Sequence, residues 1–209
     1  DIDINEMNKK TLNVFKKYHY SLEKFLPELE KLSKNKVNNI NHNYFLKWCK
    51  KIKKKYPLIH KKLSQHDSKM NPYIFFENLY KVLGKNDTVV LGNGTACVVG
   101  LQCADLPYGT RVFTNSGSAS MGYDLPAAIG ASIANQAKRI VCVTGDGSIM
   151  MNLQELASIN YKKLPIKIFI LNNNGYHSIR QTQKNFFPDN LVGTCKKDGI
   201  GFPNFLKVG

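Results

Sequence analysis

The sequence predicts an α/β fold, a parallel sheet with helices on both faces, and three observations predict it. Four short apolar runs, at 88–91, 111–114, 140–144 and 166–171, read as strands, and segments of helical periodicity lie between or after them. That alternation is the pattern of strand–helix–strand units building a parallel sheet. The runs are continuously apolar, as strands are when helices cover both faces. Each run also ends in a small polar turn, which marks the carboxyl edge of the sheet as the place for a ligand.

The elements follow in chain order. Asp1-Ile2-Asp3-Ile4 alternates as a strand does. With nothing before it, it reads as the last strand of a preceding domain, and the polypeptide is expected to be a piece of a longer one. A short helix is expected around 21–32. Residues 44–69 are lysine-rich; Phe45, Leu46, Trp48, Ile52, Tyr56 and Leu58 suit one face of an amphipathic surface helix that Pro57 breaks. Three regions result: 1–36 as the remnant of a preceding domain, 37–70 as a basic linker helix region, and 71–209 as the sheet domain. Within the last, helices are expected at 72–83, 95–103, 125–136, 153–161 and 176–183, and a further one begins near Phe202.

Composition bounds the function. The chain has 209 residues, 43% of them hydrophobic and 11% aromatic, enough to bury a core. The formal charge of +15 is concentrated in residues 1–70, where 17 lysines face 7 acids. Only Arg111, Arg139 and Arg180 are arginines, the better bidentate readers of phosphates and bases. No nucleic-acid-binding module accompanies the charge, so a solvated basic face is expected and no nucleic-acid partner. No stretch approaches the ~18 apolar residues of a membrane span, so no membrane partner is expected. Cys49, Cys97, Cys103, Cys142 and Cys195 are odd in number and form no CxxC pair. A reduced, cytoplasmic protein fits that usage.

The four turns are Gly92-Asn93-Gly94-Thr95, Asn115-Ser116-Gly117-Ser118-Ala119-Ser120, Gly145-Asp146-Gly147-Ser148 and Asn172-Asn173-Asn174-Gly175. All should crowd one crevice. Glycines admit close backbone approach, and helix starts behind the turns offer N–H groups to a phosphate. Asp146 offers a carboxylate and Asn173 a side-chain carbonyl. Few protein oxygens completed by substrate phosphates are the pattern of a Mg²⁺ site.

Gly145-Asp146-Gly147 followed after 24 residues by Asn172-Asn173 resembles the signature of thiamine-diphosphate-dependent enzymes. GDG alone is a common tight turn; GDG and NN at this spacing, each at a strand end, is specific. Met121-Gly122-Tyr123-Asp124-Leu125-Pro126-Ala127-Ala128-Ile129-Gly130-Ala131 is similar to the MGxGLPAAIGA segment of acetolactate synthase catalytic subunits. Asn152-Leu153-Gln154-Glu155-Leu156 resembles the helix that follows GDGS there. Asp1-Ile2-Asp3, with Leu22-Glu23-Lys24-Phe25-Leu26, resembles the end of the family's middle domain. The resemblance implies that 71–209 is the thiamine-diphosphate-binding domain, truncated at its C-terminus.

It also implies roles. Mg²⁺ would be held by the side chains of Asp146 and Asn173 and the carbonyl of Gly175. The cofactor would be bound by Asn93, Gly94, Thr95, Ala119, Ser120, Gly145, Gly147, Ser148 and Tyr176 besides these. Met121, 25 residues before Asp146, would wedge beneath the cofactor and keep it bent, the one catalytic role assigned within the chain. The glutamate that activates the aminopyrimidine would lie in a separate N-terminal domain. A homodimer or homotetramer with the active site between subunits is implied, and FAD stays open as a further cofactor. The chain departs from the family's pattern at Gly94-Thr95-Ala96-Cys97, where a GQHQ-type turn stands, and at Ser178 and Thr182, where a substrate-channel Met and Trp stand. The expected activity is decarboxylation of a 2-keto acid such as pyruvate with carboligation to a second carbonyl compound. The alternatives are a carboligase acting on a keto sugar, a simple 2-keto-acid decarboxylase, and a non-catalytic cofactor-binding subunit.

Overall fold

The computed structural model describes residues 4–11, 13, 15–36, 41–59, 70–136 and 138–208. The chain divides into two units, Asp1–Pro57 and Leu58–Gly209. Among the described residues the first holds three helices, α1 (Ile4–Met7), α2 (Leu22–Lys36) and α3 (Asn43–Lys55). The opening strand expected at 1–4 is corrected at Ile4, which starts α1, a single turn closed by a Glu6–Lys9 ion pair at 2.6 Å. Residues 1–3 lie outside the described residues. The expected helix at 21–32 runs a turn further, through Pro27. The amphipathic segment is helical to Lys55 and ends before Pro57; its stretch from 60 to 69 lies outside the described residues.

The second unit carries a four-stranded parallel sheet in the order β2-β1-β3-β4. The strands are β1 (Thr88–Leu91), β2 (Arg111–Thr114), β3 (Ile140–Gly145) and β4 (Ile166–Leu171). Its helices are α4 (Pro72–Lys81), α5 (Thr95–Gln102), α6 (Asp124–Ala134), α7 (Asp146–Ile149), α8 (Glu155–Tyr161) and α9 (His177–Phe186). α8 starts two residues later than expected, because Met150–Asn152 form a 3-10 turn first. Phe205–Lys207 make one 3-10 turn. Among the described residues no helix is long and apolar enough to cross a membrane.

The period of two along a strand sorts the central residues onto two cores. Val89, Leu91, Val141 and Val143 pack with Phe76, Leu79 and Tyr80 of α4 and Ala96 and Val99 of α5. Val90, Ile140 and Cys142 pack on the other face with Leu125 and Ala128 of α6 and Ile159 of α8. Both faces are therefore covered, but only at β1 and β3. The edge strands β2 and β4 are half-covered, and β4 leaves Lys167 and Phe169 exposed. β4, which carries Lys167 on its open face, is thus an edge rather than a strand buried on both sides.

Local chemistry fixes the elements. Asn71 caps α4 by accepting the Tyr73 N–H at 2.9 Å, and Pro72 suits the first helical position. Burial pushes the Tyr80 phenol well above its ordinary pKa, and its protonated hydroxyl donates to the Gly100 carbonyl at 2.7 Å. A Cβ at Gly100 would lie 2.9 Å from Leu91 and 3.1 Å from Phe76, so glycine sets how closely α5 approaches the sheet. At the opposite edge from the turns, Arg139 donates two bonds to Asp87, and this holds the Asp87 carboxyl below its usual range. Burial, with Asp124 adding to it, pushes the Cys142 thiol far up, so it acts as a small apolar residue.

Candidate functional site

β1 and β3 are neighbours whose connections leave in opposite directions, to β2 on one side and to β4 on the other. Open α/β sheets bind ligands at such a switch point, outside the carboxyl ends. The turn after β1 is tied to β3 there: the Gly92 N–H donates to the Val143 carbonyl at 2.8 Å. A cleft of ≈ 160 Å³ opens at this edge, lined by Asn93, Gly94, Thr95, Met121, Gly145, Asp146, Gly147, Ser148, Asn173, Gly175 and Tyr176, with His177, Ser178 and Ile179 from the start of α9. Every candidate residue read from the sequence lies on it except Ala119 and Ser120. Those two are exposed in the turn after β2, where the Ala119 carbonyl accepts the Asn93 side chain at 2.6 Å.

Asp146 is the floor of the cleft, 1% exposed. One carboxyl oxygen accepts the Gly147 N–H at 3.0 Å and the other the Gly175 N–H at 2.9 Å. The second bond joins the turns after β3 and β4. The Asn173–Gly175 loop is shaped for it: Asn172 accepts the Asn174 N–H at 3.0 Å, and Asn174 and Gly175 both have positive φ, 59° and 139°. Only glycine fits at 175, because a Cβ would run into the Thr194 carbonyl, which accepts the Tyr176 N–H at 2.9 Å. Arg180 donates to the Asn173 carbonyl at 3.3 Å and so braces the loop rather than lining the cleft.

The rest of the cleft is held with similar economy. Ser148 accepts the Gly122 N–H at 2.9 Å, leaving its own hydroxyl proton to donate. Asn152 donates to the Gly122 carbonyl at 2.7 Å. Gly122, at φ 80°, is thus gripped on both sides, and its neighbour Met121 projects partly exposed into the cleft. The Tyr176 ring covers Gly147 so closely that a Cβ there would overlap it, and Phe202 meets the same ring edge-on at 6.0 Å.

This donor set fits a divalent ion carrying a diphosphate. Each Asp146 oxygen uses one acceptor site and keeps another. Asn173 and Gly175 line the same cleft. Among the described residues no cluster of three His, Cys, Asp or Glu side chains occurs, which sets this apart from a site that binds a metal by protein ligands alone. One carboxylate and neutral oxygens leave charge for phosphates to supply, the habit of Mg²⁺. Sequence reasoning missed Asp124, Thr144, Thr194 and Asp198, which support these turns from below. For Asp124 the signal was there, a carboxyl group where the segment it resembles carries glycine.

Fold and cleft together define a phosphate-binding α/β domain of the doubly wound kind. Residues 71–208 match the family described as thiamine pyrophosphate enzyme, C-terminal TPP binding domain. The chain belongs to that family. It is 38% identical over 186 residues, 88% of its length, to the acetolactate synthase large subunit of Cyanidium caldarium, of which it covers 31%. It is 44% identical over 95 residues to the acetolactate synthase isozyme 2 large subunit of Escherichia coli (strain K12), 46% of this chain and 17% of that one. Acetolactate synthase 3, chloroplastic, of Brassica napus is 42% identical over 98 residues, 45% of this chain and 15% of that one. The chain thus spans a third or less of the length of these relatives.

Proposed function

We propose that this polypeptide anchors the diphosphate of thiamine diphosphate through Mg²⁺, within an enzyme that decarboxylates a 2-keto acid such as pyruvate and joins the product to a second carbonyl compound. The observation that carries the reading is Asp146, a buried carboxyl group held by two N–H groups at the sheet's switch point and opening into the cleft. Asp146 and Asn173 bind the ion by side chain and Gly175 by its carbonyl. Ser148, Asn93, Gly94 and Thr95 contact the diphosphate. Met121 supports the bent cofactor, which when bound supplies the electron sink for decarboxylation. The active site lies between subunits of a homodimer or homotetramer, and five free cysteines suit a reducing cytoplasm. Titration calorimetry with thiamine diphosphate tests this: binding requires Mg²⁺ and disappears with EDTA. Equal affinities with and without the ion refute it.

A second reading concerns the acceptor. Ser178 lines the cleft, and Thr182 donates to its carbonyl at 3.1 Å, at the places where the family has a Met and a Trp. A more polar wall favours a hydroxylated acceptor such as a keto sugar. Product analysis of the full-length enzyme, given pyruvate alone and pyruvate with a keto sugar, separates the two acceptors.

A further inference from the structure

Asp124 is fully buried at the start of α6, next to the apolar run Leu125-Pro126-Ala127-Ala128. Among the described residues no ion pair reaches it. A buried carboxyl group in such a place is costly unless its oxygens are satisfied. Its partners are few and specific. One oxygen accepts the N–H of Leu125 at 3.2 Å. The other accepts the hydroxyl of Thr144, the residue that leads into Gly145 and Asp146. The same oxygen occupies the space above Gly92, where a Cβ would overlap it. The Asp124 carboxyl group therefore touches both turns of the switch point, by a hydrogen bond on the β3 side and by close packing on the β1 side.

We propose that Asp124 is a positioning residue for the diphosphate-binding turns, acting through Thr144 on Asp146 and through Gly92 on Asn93 and Gly94. This rests on the reading of the cleft as a Mg²⁺–diphosphate site. The three residues form a latch. Thr144 is oriented by the carboxyl group, and its oxygen also lies 3.2 Å from the Gly145 carbonyl. Gly92 must be glycine because the carboxyl group fills its side-chain position. The Gly92 N–H bond to the Val143 carbonyl at 2.8 Å ties the start of the β1 turn to strand β3, two residues before Gly145. Neither Asp124 nor Thr144 lines the cleft, so their effect on a ligand passes through the turns alone.

The test measures Mg²⁺-dependent binding of thiamine diphosphate by calorimetry, and backbone amide exchange at Gly92 and Gly145–Gly147 without any ligand. Thr144→Val, which keeps shape and removes the hydroxyl, weakens binding about tenfold, the scale of one lost buried hydrogen bond, and speeds exchange at Gly145–Gly147. Asp124→Asn stays within about threefold of the wild type, because its amide donates to the Thr144 oxygen while its carbonyl accepts from Leu125. Gly92→Ala weakens binding more than Thr144→Val does. Adding Asp124→Gly to Gly92→Ala restores at least part of the loss, the non-additivity expected of two residues in contact. If Gly92→Ala does not fold, Thr144→Val and Asp124→Asn decide the matter alone. Wild-type affinity and exchange in Thr144→Val overturn the latch while leaving the cofactor reading intact. Failure of the wild-type chain to bind thiamine diphosphate overturns both.

Discussion

Asp146 carries a demand that Asn173 does not. Both line the cleft, but Asp146 is its one carboxyl group among the described residues, and it also ties the Gly175 loop to the turn after β3. Asp146→Ala is therefore expected to abolish Mg²⁺-dependent cofactor binding, and Asn173→Ala to weaken it by about 10–100-fold, the range over which even indirect metal partners act. Calorimetric titration of both variants checks the order. Gly147 offers a different kind of test. Its missing side chain is the space the Tyr176 ring fills, so Gly147→Ala should cost roughly 1–3 kcal/mol of stability through overpacking. Adding Tyr176→Ala should recover part of that, as read by denaturant unfolding. The turn residues that line the cleft were legible in the sequence because the composition of each turn announces it. Asp124 stood out only as a carboxyl group where the segment it resembles carries glycine, and only the fold shows that this group fills the side-chain position of Gly92, 32 residues earlier.

At the scale of elements, the segment after α9 works as a clasp on the Asn173–Gly175 loop. Thr194 is fully buried, and its carbonyl receives the Tyr176 N–H. Its own N–H and hydroxyl donate to Asp198 at 2.9 and 2.6 Å, and the Cys195 N–H joins them. The Thr194 hydroxyl foremost, and then these N–H groups, hold the Asp198 carboxyl down to about 2, against a burial effect that opposes them. A carboxyl group depressed in the folded state adds stability that is fully present above its ordinary pKa of ~3.9 and is lost as pH falls toward the folded value. Between about pH 4 and pH 2 the wild type should therefore lose stability more steeply than Asp198→Asn, while the two respond alike from pH 5 to 7. Thermal unfolding across that range checks it. Nothing in the sequence marked this clasp, since its bonds join residues of a loop without periodicity. The four strands and the helices between them were legible, because apolar runs and Gly/Asn turns delimit each one. At Ile4 the alternation misled, because alternation over so short a span does not separate a strand from a helical turn.

On the scale of the whole molecule, binding and turnover should separate. The cleft holds ≈ 160 Å³, well below the ~300–1,000 Å³ of a complete small-molecule pocket. On the proposed reading it would receive the diphosphate end alone. Among the described residues Asp146 is the one carboxyl group lining it, and both its oxygens already accept N–H groups, so it is poorly placed to take a proton from an aminopyrimidine. The resemblance assigns that task to a glutamate of a separate domain, and the chain spans 31% of the length of the Cyanidium caldarium relative. General acid–base help is worth typically ~10²–10⁴ in rate, and an open pocket also admits water to the reacting atoms. The 209-residue polypeptide is therefore expected to bind thiamine diphosphate with Mg²⁺ yet release no carbon dioxide from pyruvate above the background of free cofactor. A chain as long as the relatives should turn over pyruvate and dimerise, since the second wall of the site then comes from another domain or subunit. Carbon dioxide release and sedimentation, measured on both lengths, make the comparison. Pyruvate consumption by the short polypeptide alone would place the catalytic base inside these residues and shift the search to His177, the titratable side chain of the cleft not engaged with Asp146 or Gly147.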